Sequence, residues 1–159
     1  MKRTLPPTYF LLALVATVLL HFLWPLRHYW GLPWSLVGTV PLAVGMSLSV
    51  LADREFKRYQ TTVKPFEPST ALVTAFPFSV SRNPMYLGLT AMLLGVALLL
   101  GSVSALVPAV VFVVLMDRRF IRIEERMLAE QFGDEWSAYQ RRGAPVALTI
   151  FPCCPSEVV

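Results

Sequence analysis

The feature that most constrains this chain is a series of long segments without a formal charge. Residues 9–26 and 32–52 form uncharged apolar runs of 18 and 21 positions. At about 1.5 Å per residue, each run is long enough for a helix across about 30 Å of hydrocarbon. With 55% hydrophobic residues and a mean hydropathy of +0.58, the composition is that of a membrane protein.

A third uncharged run extends over residues 85–116, which is too long for one ordinary span. Gly101 and Ser102 near its middle predict a tight helical hairpin. We therefore predict an all-α, polytopic membrane helix bundle that forms a single domain over residues 1–159. It has about four transmembrane helices, at residues 9–26, 32–52, 85–100 and 103–120, with a cytosolic loop at 53–84 and a cytosolic tail at 121–159 that contains a C-terminal helix.

The Lys and Arg residues between the runs predict the orientation of the bundle. Five lie in the loop at 53–84 and six follow Met116, whereas the connection between the first two spans has only Arg27. Both termini and the loop are therefore expected on the cytosolic side. The basic residues lie in short stretches beside apolar runs, which favours contact with anionic lipid headgroups and not with nucleic acid.

Several classes of site are excluded by the sequence. Cys153 and Cys154 are adjacent, so they cannot supply a C-x-x-C metal clip, and His21 and His28 are too few for a diiron centre. Neither G-x-G-x-x-G nor the phosphate-binding G-x-x-x-x-G-K-[ST] pattern occurs. We expect no metal site. Small residues at seven-residue intervals predict close helix packing instead: Gly31, Gly38 and Gly45 in span 2, and Gly88, Gly95 and Ser102 in span 3.

The first candidate functional segment is residues 81–88, at the start of the third span. Pro84 suits the first position of a helix and Asn83 its N-cap. Arg82 offers a bidentate donor for a carboxylate, and Tyr86 offers an aromatic face and a hydroxyl group. Gly88, one turn into the helix, permits close approach to the backbone.

The second candidate segment, residues 122–128, follows the fourth span. Because both ends of a helical hairpin return to the same side of the membrane, the two segments are expected to be neighbours. Glu124 and Glu125 point about 100° apart on a helix. We expect at most one of them to face the bundle, with the other free to pair with Arg122 or Arg126.

These segments, with several others, resemble the isoprenylcysteine carboxyl methyltransferase and phospholipid methyltransferase family, and in particular its bacterial integral membrane branch. The resemblance covers about residues 61–139. It rests on the order and spacing of T-T-V-K-P-F-E-P and T-A-L-V-T at 61–74, S-R-N-P-M-Y-L-G at 81–88, Gly101-Ser102, E-E-R-M-L at 124–128 and F-G-x-x-W-x-x-Y at 132–139.

The resemblance implies S-adenosylmethionine as the methyl donor and a lipophilic acceptor, an isoprenylcysteine-like carboxylate or a lipid headgroup, at the cytosolic face of the bacterial inner membrane. The cofactor-binding residues that it implies are Arg82, Asn83, Tyr86, Gly88, Glu124 and Glu125. Asn83 replaces a His of many relatives. A carboxylate acceptor needs no base, whereas an amine must first lose a proton, for which Glu125 and Tyr86 are the candidate catalytic residues.

Two other functions are compatible with the sequence. One is an NADPH-dependent membrane reductase of a sterol-like substrate. It would need basic residues around the 2′-phosphate, for which the obvious candidates are only Lys64, Arg82, Arg141 and Arg142. The other is a noncatalytic bundle that anchors or assembles partners. Cofactor binding distinguishes this third hypothesis from the two enzymes.

Overall fold

The structure, a computed structural model, describes residues 5–24, 33–59 and 72–141. These residues form helices and connecting turns, with no strand among them, as the all-α prediction requires. The helices are α1 (Pro6–Leu23), α2 (Thr39–Arg58), α3 (Pro84–Leu100), α4 (Val103–Met116) and α5 (Arg122–Arg141). A 3-10 turn (Trp34–Gly38) precedes α2, and a π-helical turn (Asp117–Ile121) joins α4 to α5.

Two helices extend beyond the predicted spans because of local signals at their ends. α1 begins at Pro6, before the predicted start at Tyr9, since Pro6 and Pro7 occupy the first two helical positions, where the missing N–H groups cost nothing. α2 continues past Ala52 to Arg58. Its last turns carry an ion pair between Lys57 and Asp53 at 2.6 Å, one turn apart, which supports a helix in water.

The predicted helical hairpin is confirmed. Gly101 ends α3 in the left-handed conformation, with φ 70°, and its N–H donates to the carbonyl of Ala97. Glycine is the residue that adopts this conformation without steric cost. α4 then begins at Val103, so Gly101 and Ser102 alone form the turn.

α2 and α3 pack backbone against backbone along the glycine series. A Cβ added to Gly38 would lie 2.5 Å from the carbonyl oxygen of Gly95, and one added to Gly95 would lie 2.7 Å from that of Gly38. Gly45 and Gly88 face each other in the same way. The prediction of close helix contact is therefore confirmed for these four glycines.

The bundle has α3 at its centre. α2 packs on one side of α3, while α4 and α1 pack on the other and contact each other. The core between α1, α3 and α4 is built from Leu93, Phe112, Met116, Phe120 and Ile121, with Phe10 against Phe112 and Tyr9 against Phe120.

The outer faces of the first two helical segments are apolar. Pro6–Leu23 and Trp34–Arg58 are long and apolar enough to cross a membrane, and α3 is a shorter apolar helix. Large hydrophobic side chains point outward from α1 and α2, among them Leu12, Leu19, Val40 and Met46. Exposed apolar surface of this extent suits lipid and not water, and it supports membrane association.

The π-helical turn shifts the face that the chain presents to the bundle. Phe112 and Met116 lie on the buried side of α4, and continuation of an α-helix would bury position 120 and then position 123 or 124. Phe120 is buried, but so is Ile121, and in the next turn Glu125 is buried while Ile123 is 40% exposed. A π-turn contains an extra residue and so rotates the following helix about its axis. The rotation turns the start of α5 toward α3.

Several predicted segments lie outside the described residues: the family-like block at 61–70, the connection containing Arg27 and Gly31, and the tail after Arg141 with both cysteines. Lys64 and Arg142, two candidate phosphate-binding residues, also lie outside them.

Candidate functional site

The two candidate segments lie against each other, as the hairpin predicts. Arg82 precedes α3, whose first residue is Pro84, and Glu125 lies in the first turn of α5. The Arg82 guanidinium Nη1 donates to Oε1 of Glu125 at 3.5 Å. The side chains of Arg82 and Glu125 are only 18% and 9% exposed. Their pairing is therefore shielded from solvent, where ion pairs are less screened than on an open surface.

Burial has the largest effect on the acidity of Glu125 and raises the pKa of its carboxyl group. The charge and hydrogen bond of Arg82 oppose that effect, and the negative charge of Asp117 adds to it. Glu125 thus has a favourable partner in Arg82 and a repulsive neighbour in Asp117.

A second contact joins the same segments one turn further along. The Tyr86 hydroxyl donates to Oε1 of Glu124 at 2.6 Å. Burial raises the pKa of Glu124 to about 7, the hydrogen bond from Tyr86 lowers it and the charge of Glu125 raises it. A carboxyl group with this pKa exchanges its proton near neutral pH.

Both glutamates therefore face the bundle, and the prediction that at most one does so is wrong. Arg82 precedes α3 and Tyr86 lies in its first turn, and they bind Glu125 and Glu124 respectively. The predicted partner Arg122 instead donates to Asp117, through Nε at 3.2 Å and Nη2 at 3.0 Å.

Asn83 occupies the predicted N-cap position of α3, but its side chain makes no capping hydrogen bond. Its N–H donates to Oγ of Ser81 at 3.3 Å. The side-chain Nδ2 of Asn83 and the Nε of Arg82 are both buried without a hydrogen-bond partner among the described residues. Buried donors in native proteins are nearly always paired, so these two mark a place for an acceptor.

Gly88 lies against α2, where an added Cβ would meet Oγ of Ser49 and, at 2.7 Å, the carbonyl oxygen of Gly45. The structure pairs four of the six predicted cofactor-binding residues, Arg82 with Glu125 and Tyr86 with Glu124. Asn83 directly follows Arg82 in the chain. Gly88 sits in the helix interface.

Asp117 was not among the predicted site residues. It is the first residue of the π-helical turn, and its side chain is 3% exposed. Its position directly after a long uncharged run was the sequence signal for it, because an ionisable residue at membrane depth is generally functional.

The F-G-x-x-W-x-x-Y block at 132–139 attaches the end of α5 to the segment before α3. Gly133, with φ 47°, interrupts the helical backbone, and Trp136 and Tyr139 follow it. The Tyr139 hydroxyl donates to the carbonyl of Phe78 at 2.6 Å in a buried contact. The contact fixes the segment before α3, which carries Arg82.

Comparison with known proteins identifies one family. A model of the phospholipid methyltransferase family matches residues 34–135, which is more than half of the chain and includes both candidate segments. No curated protein and no solved structure matches the chain significantly.

Proposed function

The chain belongs to the phospholipid methyltransferase family, and on this premise we propose that it transfers a methyl group from S-adenosylmethionine to a lipophilic acceptor at the cytosolic membrane face. The acceptor is an isoprenylcysteine-like carboxylate or a lipid headgroup. The family supports a methyltransferase that acts on lipid-like substrates. The choice of cofactor and the site residues belong to the proposal.

The observation that carries the proposal is the pair of unpartnered donors beside the ion pair. Nε of Arg82 and Nδ2 of Asn83 are buried and need an acceptor, while Glu125 already occupies Nη1 of Arg82. The carboxylate of an amino acid fits two N–H donors of this kind, and the N-terminus of α3 adds its positive dipole end. The residues thus suit the methionine end of S-adenosylmethionine.

When bound, S-adenosylmethionine would supply a methyl group on a positively charged sulfur. For a carboxylate acceptor, the residues of the chain need only align the acceptor and exclude water, since opposite charges are neutralised along such a displacement. Alignment alone can contribute about 7–11 kcal/mol in favourable intramolecular cases. Arg82 and Glu125 are proposed to position the donor, and Gly88 to keep α3 close to α2.

Glu124 and Tyr86 are proposed to manage the proton when the acceptor is an amine. With its pKa raised to about 7, Glu124 is ionised in part of the molecules at neutral pH and can take a proton from an ammonium group. The sequence alone favoured Glu125 with Tyr86 for this task. The pairing of Glu125 with Arg82 makes Glu124 the better base, with Tyr86 orienting it.

The single domain, the four spans and their orientation also belong to the proposal. Both termini are placed in the cytosol of a bacterial cell, with the protein in its inner membrane. The distribution of Lys and Arg supports this orientation. The site then lies where a lipid headgroup meets water.

Calorimetric titration of S-adenosylmethionine into detergent-purified protein tests the proposal. We expect saturable binding that Arg82→Ala and Glu125→Ala each weaken at least about tenfold, as expected for loss of a charged hydrogen bond. Arg58→Ala is the matched control, because Arg58 pairs with Glu55 on the exposed end of α2. Transfer of labelled methyl groups to candidate lipids then identifies the acceptor.

The same titration with NADPH separates the other hypotheses. Saturable NADPH binding without S-adenosylmethionine binding would favour the reductase. Failure of folded protein to bind either molecule would contradict both enzymes and leave the anchoring bundle.

A further inference from the structure

One carboxylate of the site has an oxygen that no described residue satisfies. Oδ2 of Asp117 accepts both hydrogen bonds from Arg122, whereas Oδ1 is buried without a partner. The Asp117 side chain is 3% exposed, so bulk water cannot serve that oxygen. Leaving a buried charged acceptor unpaired costs more than the gain from an ordinary hydrogen bond. A fold that retains Asp117 here needs a donor at Oδ1.

The surroundings of Asp117 determine the charge of that donor. Its negative charge raises the pKa of Glu125, so the two carboxylates are close enough to repel each other. Glu124 adds a third carboxylate, which Glu125 in turn repels. Among the described residues, Arg82 pairs with Glu125, and Arg122, which is about half exposed to solvent, pairs with Asp117. The ionised fraction of Glu124 adds negative charge beyond these two pairs, which a cation would balance.

The unpartnered atoms include one hydrogen-bond acceptor and two donors. Oδ1 of Asp117 requires a donor, while Nε of Arg82 and Nδ2 of Asn83 require an acceptor. Glu125 connects the two ends, since it accepts from Arg82 and lies within the field of Asp117. A ligand that carries both an ammonium group and an anionic group has a donor for the first of these atoms and an acceptor for the other two.

The π-helical turn accounts for the place of Asp117. The extra residue in that turn keeps Asp117, Ile121 and Glu125 buried in succession, in place of the face that α4 presents. Such turns are rare and occur often at functional sites.

From these observations we propose that Asp117 is a binding residue whose Oδ1 accepts a hydrogen bond from the primary ammonium group of a ligand. The inference rests on the proposed function, which provides two sources of such a group: the amino group of S-adenosylmethionine and the amine of a lipid headgroup. The neighbouring donors of Arg82 and Asn83 favour the first, because its carboxylate shares a carbon atom with the amino group.

The test compares each ammonium ligand with a counterpart that lacks the ammonium group. Binding to the full-length wild type and to Asp117→Asn is measured by calorimetry in detergent. One arm uses S-adenosylmethionine and its analogue without the amino group; the other uses short-chain phosphatidylethanolamine and phosphatidylglycerol. We expect Asp117→Asn to weaken binding of one ammonium ligand about tenfold or more and to leave its amine-free counterpart within about twofold. The arm that responds identifies the source.

Two controls separate binding from folding. Arg122→Gln removes the donors to Oδ2 and leaves the carboxylate, so the preference for the ammonium ligand should persist. Asp53→Asn removes one negative charge from the exposed pair with Lys57 and should change neither arm. Thermal unfolding of every variant shows that the folded state is retained.

The outcomes distinguish this inference from the proposed function. The first case is a wild type that binds S-adenosylmethionine and an Asp117→Asn variant that binds every ligand as the wild type does, or binds each ligand and its amine-free counterpart equally more weakly. Asp117 is then a structural residue, and the inference is overturned while the proposed function stands. If the wild type fails to bind S-adenosylmethionine but prefers the ethanolamine lipid through Asp117, the proposed function fails and the inference holds. Binding of none of the four ligands overturns both.

Discussion

At the residue scale, the two adjacent glutamates of the site differ in their hydrogen-bond partners. Glu125 pairs with a guanidinium group, whereas Glu124 has only a phenol hydroxyl as its partner. A cation lowers the pKa of a buried carboxyl group more effectively than a neutral donor. This difference is the reason that we propose Glu125 for binding and Glu124 for proton exchange.

The raised pKa of Glu124 predicts a dependence of stability on pH. Between its ordinary value of 4.5 and about 7, Glu124 holds more proton in the folded than in the unfolded protein. The free energy of unfolding should therefore fall as pH increases across this window, by on the order of 2 kcal/mol from this group. Glu124→Gln should remove that part of the slope, measured by chemical unfolding of the ligand-free protein from pH 4.5 to 8.

Glu130→Gln is the matched control, because Glu130 is an exposed glutamate on the same helix. An identical slope in the wild type and Glu124→Gln would show that folding does not raise the pKa of Glu124. For an amine acceptor, the same group predicts that the rate of methylation increases with pH up to about 7.

At the element scale, the packing of α2 on α3 positions the start of α3 and with it Tyr86. Four glycines bring the two backbones into contact, and the serine hydroxyl of Ser49 lies against Gly88. At the glycine positions, no side chain lies between the two helices that could move to make room for added atoms. Any added atom in this interface must separate the helices.

Gly95→Ala should therefore destabilise the protein even though alanine favours a helix by up to about 1 kcal/mol over glycine. The new Cβ would lie 2.7 Å from the Gly38 carbonyl oxygen and 2.7 Å from the Leu42 amide nitrogen, neither of which can rotate away. We expect a net loss of about 1–3 kcal/mol. Thermal unfolding in detergent measures it.

Ala43→Leu, on the exposed side of α2, adds more atoms outside the interface and should leave the unfolding temperature nearly unchanged. A Gly95→Ala protein as stable as the wild type would contradict the close backbone contact.

At the scale of the whole molecule, the bundle places its charged residues at one end. The end of α2, the segment before α3 and the whole of α5 carry the ionisable side chains, while the described part of the opposite end carries exposed Trp24 and Trp34. Tryptophan at that end is typical of a membrane interface.

This distribution predicts which side of the membrane each end faces. In a background with Cys153 and Cys154 replaced by Ser, Lys57→Cys and Glu130→Cys should react with a membrane-impermeant maleimide from the cytosolic side only. Trp34→Cys should react only from the other side. All three positions are exposed in the structure. Labelling of Lys57→Cys and Trp34→Cys from the same side would show that the helix between them does not cross.

The sequence by itself determined the features that depend on neighbours along the chain. Uncharged length predicted the apolar helices, Gly101 with Ser102 predicted the hairpin, and the glycine spacing predicted the contact of α2 with α3. The block patterns also identified the family. Each of these depends on hydrophobicity, backbone freedom or residue size, which are local properties.

Only the tertiary structure decided how the charged residues pair. The rotation of α5 by the π-helical turn, which has no known pattern of residues in the sequence, brought both glutamates to α3 and buried Asp117 beside them. Helical periodicity assumes an unbroken 3.6-residue repeat, so it placed one glutamate outside the bundle. The site depends on contacts between residues about 40 positions apart, and their geometry is fixed by packing and not by the local sequence.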